Sequence, residues 1–264
     1  MPELPEVEAT RQNLQRWSEG RRITRVTRRD EQLDLALDGL VGATFERWER
    51  RGKALAGVTD SGVLFSHLGM TGRWVCDPTP ERRFVRLVVE VVAGRQKARL
   101  CYTDARRLGD AKVVASVEAA FAKLGPDAWL APLTAVALQA AMGKGQSATL
   151  KERLLEQKRV AGLGNIAVIE ACFRARVHPH KPVSNVTPAE WKRLVPAIRA
   201  HLEATLAATI GPDEIVYVSE GGDNIFQVYG REGEPCPRCR TSLARLVFAG
   251  RPTYFCPRCQ PEVL

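Results

Sequence analysis

Two short cysteine motifs carry the most specific chemistry in this sequence. Cys236-Pro-Arg-Cys239 and Cys256-Pro-Arg-Cys259 are C-x2-C pairs separated by sixteen residues. Four thiolates on two knuckles suit tetrahedral Zn2+ with every ligand position taken, hence one structural ion and no catalytic role for it. Two disulfides would need an oxidising compartment, and the usual iron–sulfur spacings differ. The other concentration of chemistry lies at the opposite end of the chain. MPELPEVEAT puts Pro2 directly after Met1 and groups Glu3, Glu6 and Glu8 behind it. Taken alone, these carboxylates are either acids favoured at a helix N-terminus or paired groups for proton transfer beside a reactive terminus. Both readings stay open on these residues by themselves.

The elements that must position these groups are legible in outline. Leu4, Val7, Leu14 and Trp17 fall on one face of a helix that Gly20 ends. From Ile23 to Val117 the texture is short β-type runs: Leu33, Leu35 and Leu37 alternate, residues 87–92 are nearly continuously apolar, and AGRQ turns into the alternating Ala98, Leu100 and Tyr102. Strands at this spacing predict a two-sheet sandwich or a barrel. Glycine and prolines break the pattern over residues 121–132, the expected linker. Residues 133–209 are helical in composition, with a capping box in TPAEWKRL and a sharp glycine turn in VAGLGN between two helices. The sequence therefore predicts an α+β protein: a helix plus β-sandwich over residues 1–120, a helical domain over 133–222, and a zinc hairpin over 223–264.

Lys and Arg number 39 against 30 Asp and Glu, a formal charge of +9. Such an excess favours a polyanionic partner, nucleic acid ahead of a membrane surface. The hairpin region alone carries Arg231, Arg238, Arg240, Arg245, Arg251 and Arg258, which suits phosphate contact. No run reaches the roughly 18 apolar residues of a membrane span, and the acidic start is unlike a signal peptide. An intracellular protein is expected, cytoplasmic and nucleoid-associated in a bacterium. Cys76, Cys101 and Cys172 sit among apolar residues and are read as buried free thiols. GKGQS at 143–147 lacks the full phosphate-loop pattern, and GLGN lacks the third glycine of a dinucleotide fingerprint. His178 and His180 are expected at the surface near a helix end rather than as ligands.

Taken in order, MPELPEVE, RRGKAL at 50–55, SHLGMTG at 66–72, TDARRLG at 103–109, LLEQKRVAGLGNI at 154–166 and the cysteine module resemble the formamidopyrimidine-DNA glycosylase and endonuclease VIII family. The resemblance spans nearly the whole chain and leans to the formamidopyrimidine branch. It implies a helix–two-turn–helix domain, a base-excision repair glycosylase for oxidised bases with AP lyase activity, damaged double-stranded DNA as partner in a basic cleft between domains, and a monomer. It also implies roles. Pro2, bared by loss of Met1, would be the nucleophile, Glu3 the general acid/base, Glu6 a second carboxylate that orients or shuttles protons, and Lys53 a lysine approaching phosphate and active site. His67, Arg106, Asn165 and Arg251 would hold the DNA backbone; Met70, Arg106 and Leu108 would fill the hole left by an everted base. Leu108 stands where the family commonly has phenylalanine, and residues 215–226 are shorter than the family's lesion-capping stretch. The alternatives are an endonuclease VIII-like preference for oxidised pyrimidines, or a catalytically silent zinc protein that binds damage.

Overall fold

The computed structural model describes residues 2–76, 79, 83–130, 133–143, 148–209, 225–248 and 250–261. GKGQS beyond Gly143, and residues 215–224 of the shortened segment, with Gly221 and Gly222, lie outside the described residues. The chain divides into two compact units, one built on Met1–Ala122, the other on Lys123–Ala208 with Asp223–Leu264.

In the first unit, helix α1 spans Leu4–Ser18. Pro5 falls in its first turn, where no intrahelical donor is needed. Leu4, Val7, Leu14 and Trp17 are all buried, and Gly20 (φ +69°) turns the chain out of the helix. Two antiparallel four-stranded sheets follow. One orders β1 (Arg22–Arg28), β6 (Val85–Ala93), β7 (Gln96–Thr103) and β5 (Arg73–Cys76); the other orders β2 (Phe45–Arg51), β3 (Ala54–Thr59), β4 (Gly62–His67) and β8 (Asp110–Val114). Both sheets send side chains into one core, including Phe45, Trp48 and Leu64 from one and Leu87, Leu100 and Tyr102 from the other. Helix α1 packs against β2, β3, β5 and β7, so its apolar face meets strands of both sheets. A short helix α2 (Val117–Phe121) ends the unit.

Three expectations change. The Leu33–Leu37 alternation is not a strand: Leu35–Leu40 form a 3-10 turn in which Asp34 accepts the Ala36 N–H at 3.0 Å. Leu33, Leu37 and Leu40 enter the core while Leu35 is left in solvent, an alternation that a tight helix can also satisfy. Cys101 and Cys172 are buried thiols, but Cys76 is exposed at the end of an edge strand. His178 is 2% exposed, its ring edge-on to Phe255 at 4.6 Å and its Nδ1 accepting the His180 N–H at 3.1 Å. It belongs to the interior, not the surface.

The second unit contains α3 (Ala135–Met142), α4 (Leu150–Leu155), α5 (Asn165–Ala175), α6 (Pro188–Thr209) and the antiparallel pair β9 (Ala244–Phe248) and β10 (Arg251–Phe255). The α6 start is a capping box: Glu190 accepts the Thr187 N–H at 2.7 Å and donates its own N–H to Thr187 Oγ1 at 3.3 Å. Gln157 pins the turn between α4 and α5, donating to the Leu155 and Leu163 carbonyls and accepting from Gly162 N–H at 2.9 Å. The hairpin shares a core with α5, since Ile169 and Phe173 pack with Val228, Cys236, Leu243 and Cys256. Buried Glu170 accepts three backbone N–H groups, from Gln227, Val228 and Tyr229, at 2.9–3.0 Å. Among the described residues, no helix is long and apolar enough to cross a membrane.

Candidate active site and zinc centre

Pro2, Glu3 and Glu6 come together where α1 begins. All three are buried, Glu3 at 4% and Glu6 at 7% exposure. The Glu6 carboxylate folds back and accepts the Glu3 N–H at 2.9 Å. Burial, and then the nearby Glu3 carboxylate, raise the Glu6 carboxyl from the ordinary 4.5 to about 7. A carboxyl poised at neutrality can both give and take a proton, which a solvated helix-start acid cannot.

Because its folded value lies above its unfolded one, the fold prefers uncharged Glu6. Its contribution to stability is complete below about pH 4.5 and is lost as pH rises through about 7, a swing on the order of 3 kcal/mol. Glu6→Gln keeps the acceptor for Glu3 N–H but removes the titration. The variant is expected to unfold at higher denaturant than the parent above pH 7, with a flatter dependence of midpoint on pH between 4.5 and 7. An unchanged dependence would show that Glu6 does not titrate there.

Lys53 directly precedes β3 and His67 ends β4, where Ala54 pairs with His67, so the Lys53 charge acts on the ring. Burial and then the Lys53 charge lower the His67 pKa, so the ring is neutral at pH 7. Its Nδ1 accepts Gly69 N–H at 3.1 Å, which leaves the proton of the neutral ring on Nε2. Glu8, to which the resemblance assigned no role, ties α1 to the Lys53 turn. Its carboxylate meets buried Arg50 at 2.9 Å, and Arg50 Nη1 donates to the Gly52 carbonyl at 3.1 Å. Burial pushes the Glu8 carboxyl up, but bonds from Arg11, Arg50 and Gln12 more than offset this and hold it below 4.5.

Met70, Arg106 and Leu108 also gather within this unit. Met70 and Leu108 are 40% and 52% exposed, and Arg106 reaches solvent with no ion pair among the described residues. Their loops touch so closely that a Cβ on Gly69 would lie 2.5 Å from the Gly109 nitrogen, and one on Gly109 would strike the Tyr102 hydroxyl and the His67 carbonyl. Only glycine fits at either place.

In the second unit, Asn165 opens α5 directly after Gly164 and donates through Nδ2 to the Pro252 carbonyl at 3.1 Å, beside exposed Arg251 at the start of β10. Lys151, absent from the sequence expectations, donates to the same carbonyl at 3.0 Å and to Thr253 Oγ1 at 2.6 Å. Burial, with Arg251 adding to it, brings its ammonium down to about 8. Lys151 and Arg251 line a cavity of about 360 Å³ with Glu152, Leu155, Glu156 and Phe248. The one signal for Lys151 was the T-x-x-E capping box of Thr149 and Glu152 around it, which marks a helix start and not a buried amine.

The four cysteine sulfurs all lie within 4.8 Å of one another, with Cys239–Cys256 at 3.4 Å and Cys236–Cys259 at 4.0 Å. Zn–S bonds near 2.3 Å in a tetrahedron require sulfurs about 3.8 Å apart. Arg238 N–H and Cys259 N–H point at Cys236 and Cys256 sulfurs at 3.4 and 3.3 Å, the bonds that stabilise thiolates in a metal knuckle. The donor set fits one structural zinc ion held by Cys236, Cys239, Cys256 and Cys259.

A sandwich capped by an acidic helix start, a helix–turn–helix unit and a four-cysteine hairpin together define a zinc-stapled, multi-module class with cationic groups on each unit. Family models agree part by part. Residues 1–111 match the formamidopyrimidine-DNA glycosylase N-terminal domain, 124–213 its H2TH domain, and 233–261 a zinc finger found in that family and in isoleucyl-tRNA synthetase. The formamidopyrimidine-DNA glycosylase of Novosphingobium aromaticivorans is 41% identical over 279 aligned residues, covering 98% of this chain and 100% of that protein. The Lactococcus lactis formamidopyrimidine-DNA glycosylase bound non-covalently to AP-site DNA superposes with TM-score 0.87 at 30% identity, covering 99% of this chain and 100% of that one. Its complex with DNA containing Fapy-dG gives TM-score 0.86 at 29% identity, over 98% and 100%. The chain belongs to the formamidopyrimidine-DNA glycosylase family.

Proposed function

We propose that this protein excises oxidised bases, formamidopyrimidines and 8-oxoguanine first among them, from double-stranded DNA and then cleaves the strand at the resulting abasic site. The observation that carries this reading is the buried Glu3–Glu6 pair directly behind Pro2, in a chain whose relatives are formamidopyrimidine-DNA glycosylases. With Met1 removed, Pro2 is a secondary amine that attacks C1′ of the damaged nucleotide as the base departs. Glu3 delivers a proton to the sugar ring oxygen as the ring opens. The adduct is an iminium, cationic without protonation, and it acidifies the neighbouring sugar carbon so that the 3′ and then the 5′ phosphate are eliminated. Glu6, poised near neutrality, orients Glu3 and relays protons.

In this reading residues 1–120 carry the chemistry, and residues 133–222 and 223–264 hold the duplex. Lys53, His67 through Nε2–H, Arg106, Asn165 and Arg251 contact phosphates, while Met70, Arg106 and Leu108 occupy the space of the everted base. Zinc, when bound, supplies only the shape of the hairpin that presents Arg251. The enzyme works as a monomer on the bacterial nucleoid. Leu108 offers a neighbouring base less stacking than an aromatic ring would, and excision rates on duplexes carrying one lesion each establish how far the lesion range extends.

Borohydride added to the methionine-processed protein with abasic-site DNA is expected to trap a covalent complex; a protein that nicks without any trappable adduct overturns the amine mechanism. Arg251→Ala is expected to weaken binding alike for all sequences. It should also shallow the slope of log affinity against log salt by about one, the signature of one lost phosphate contact. A steep sequence-dependent loss would instead place Arg251 at base edges.

A further inference from the structure

The two loops that carry Met70 and Leu108 are joined by a buried charge network that runs back to the far edge of the sandwich. Asp104 is 2% exposed and its two oxygens are divided between the loops. Oδ1 accepts from the Thr71 hydroxyl, next to Met70, and from Arg106 N–H at 3.2 Å; Oδ2 accepts from Gly109 N–H at 2.8 Å. Thr71 Oγ1 in turn accepts Arg106 N–H at 3.1 Å. Behind Asp104, Arg86 on β6 is 4% exposed. It donates to the Gly109 carbonyl at 3.0 Å, lies 3.7 Å from Asp104, and pairs at 2.6 Å with Asp30, which is itself 5% exposed. Asp30 also lies 3.5 Å from Arg107, the residue between Arg106 and Leu108. Arg107 has φ +53°, a left-handed conformation that a residue with a side chain keeps only where its surroundings hold it.

Met70 and Leu108 are thus solvent-facing apolar side chains whose neighbours Thr71, Arg106 and Gly109 are tied to one buried carboxylate. We infer that Asp104, backed by Arg86 and Asp30, is a positioning residue that holds Met70, Arg106 and Leu108 as one preformed wedge before DNA arrives. This rests on the reading of those three residues as the filling of the everted base's place. A preformed wedge enters the stack without first being ordered, so the network acts on the step that separates a paired, stacked lesion from its everted form. It has no part in the sugar chemistry once the nucleotide is accessible.

The test exploits that separation. Asp104→Asn keeps the shape, but whichever oxygen becomes an amide places a donor against a backbone donor, Gly109 N–H on one side or Arg106 N–H on the other. Excision of a single formamidopyrimidine lesion from a duplex, under single-turnover conditions, is expected to slow by about tenfold or more, the scale of one charge-assisted hydrogen bond. Nicking of a single strand carrying a preformed abasic site, which has no stack to open, is expected to stay within about twofold of the parent. Equal losses on both substrates, or no loss on either, overturn the proposal. A parent enzyme that fails to nick an abasic site in a duplex as well as in a single strand overturns the underlying lyase reading instead. Should Asp104→Asn not fold, Thr71→Val decides by the same ratio, since it removes only the hydroxyl link and leaves the Arg86–Asp30 pair in place.

Discussion

Lengthening the chain by one residue ahead of Pro2 is expected to abolish base excision and borohydride trapping, by at least about a thousandfold, while DNA affinity changes little. The physical reason is bond type. A proline nitrogen at the terminus is a basic secondary amine; the same nitrogen inside a peptide is an amide whose lone pair is delocalised and cannot attack carbon. Pro2→Gly separates two further contributions. It retains a terminal amine, but a primary one, whose adduct with the opened sugar must be protonated before it can draw electrons. Excision by that variant is expected to be slowed strongly yet remain trappable. Glu3 and Glu6 belong to the buried start of α1, held by Glu3 N–H on Glu6, and the helix packs against strands of both sheets, so neither change should disturb them. Normal strand cleavage by the extended protein would show that Pro2 is not the nucleophile.

Loss of zinc is the second large effect. Cys239→Ser is expected to release the metal and lower DNA affinity by about a hundredfold or more, leaving the cooperative unfolding of Met1–Ala122 intact. Structural zinc in a small module contributes on the order of 10 kcal/mol, far more than β9 and β10 can obtain from their own burial, since four of the five β9 residues are exposed. The damage would not stop at the hairpin. Cys236 and Cys256 pack with Ile169 and Phe173 of α5, and Arg238 stacks on Phe173 at 4.5 Å while donating to its carbonyl. Unravelling the knuckles removes the Pro252 carbonyl that Lys151 and Asn165 share, and with it the placement of Arg251. Zinc content measured by thiol titration, alongside fluorescence anisotropy on labelled duplex, checks both halves. Tight binding by a zinc-free variant would mean that the hairpin is dispensable for DNA contact.

The two predictions concern the parts most legible in the sequence, for a shared reason. The zinc ligands and the Pro2–Glu6 cluster are local: covalent spacing alone brings Cys236 near Cys239 and Glu3 near Glu6. The glycines of SHLGMTG and TDARRLG likewise announce tight loops, and TPAEWKRL announces its capping box. Patterns that two geometries satisfy were misleading. The leucines at 33, 35 and 37 alternate as a strand would, yet belong to a 3-10 turn, and His178 looked like a polar helix end but lies under Phe255.

What the sequence by itself determined is therefore the residues available: a proline after Met1, two carboxylates beside it, four thiolates for zinc, and an excess of cations for a polyanion. Tertiary structure alone decided how those groups behave. Burial moved Glu6 to about 7 and Lys151 to about 8, and neither shift can be read from residue type. Arg50 meets Glu8 across 42 positions, and Arg86 meets Asp30 across 56. Such pairings follow no local periodicity, because they form only when strands and helix have already packed and excluded water. Desolvation and long-range hydrogen bonding are properties of the assembled core, and they turn a list of reactive side chains into an ordered site.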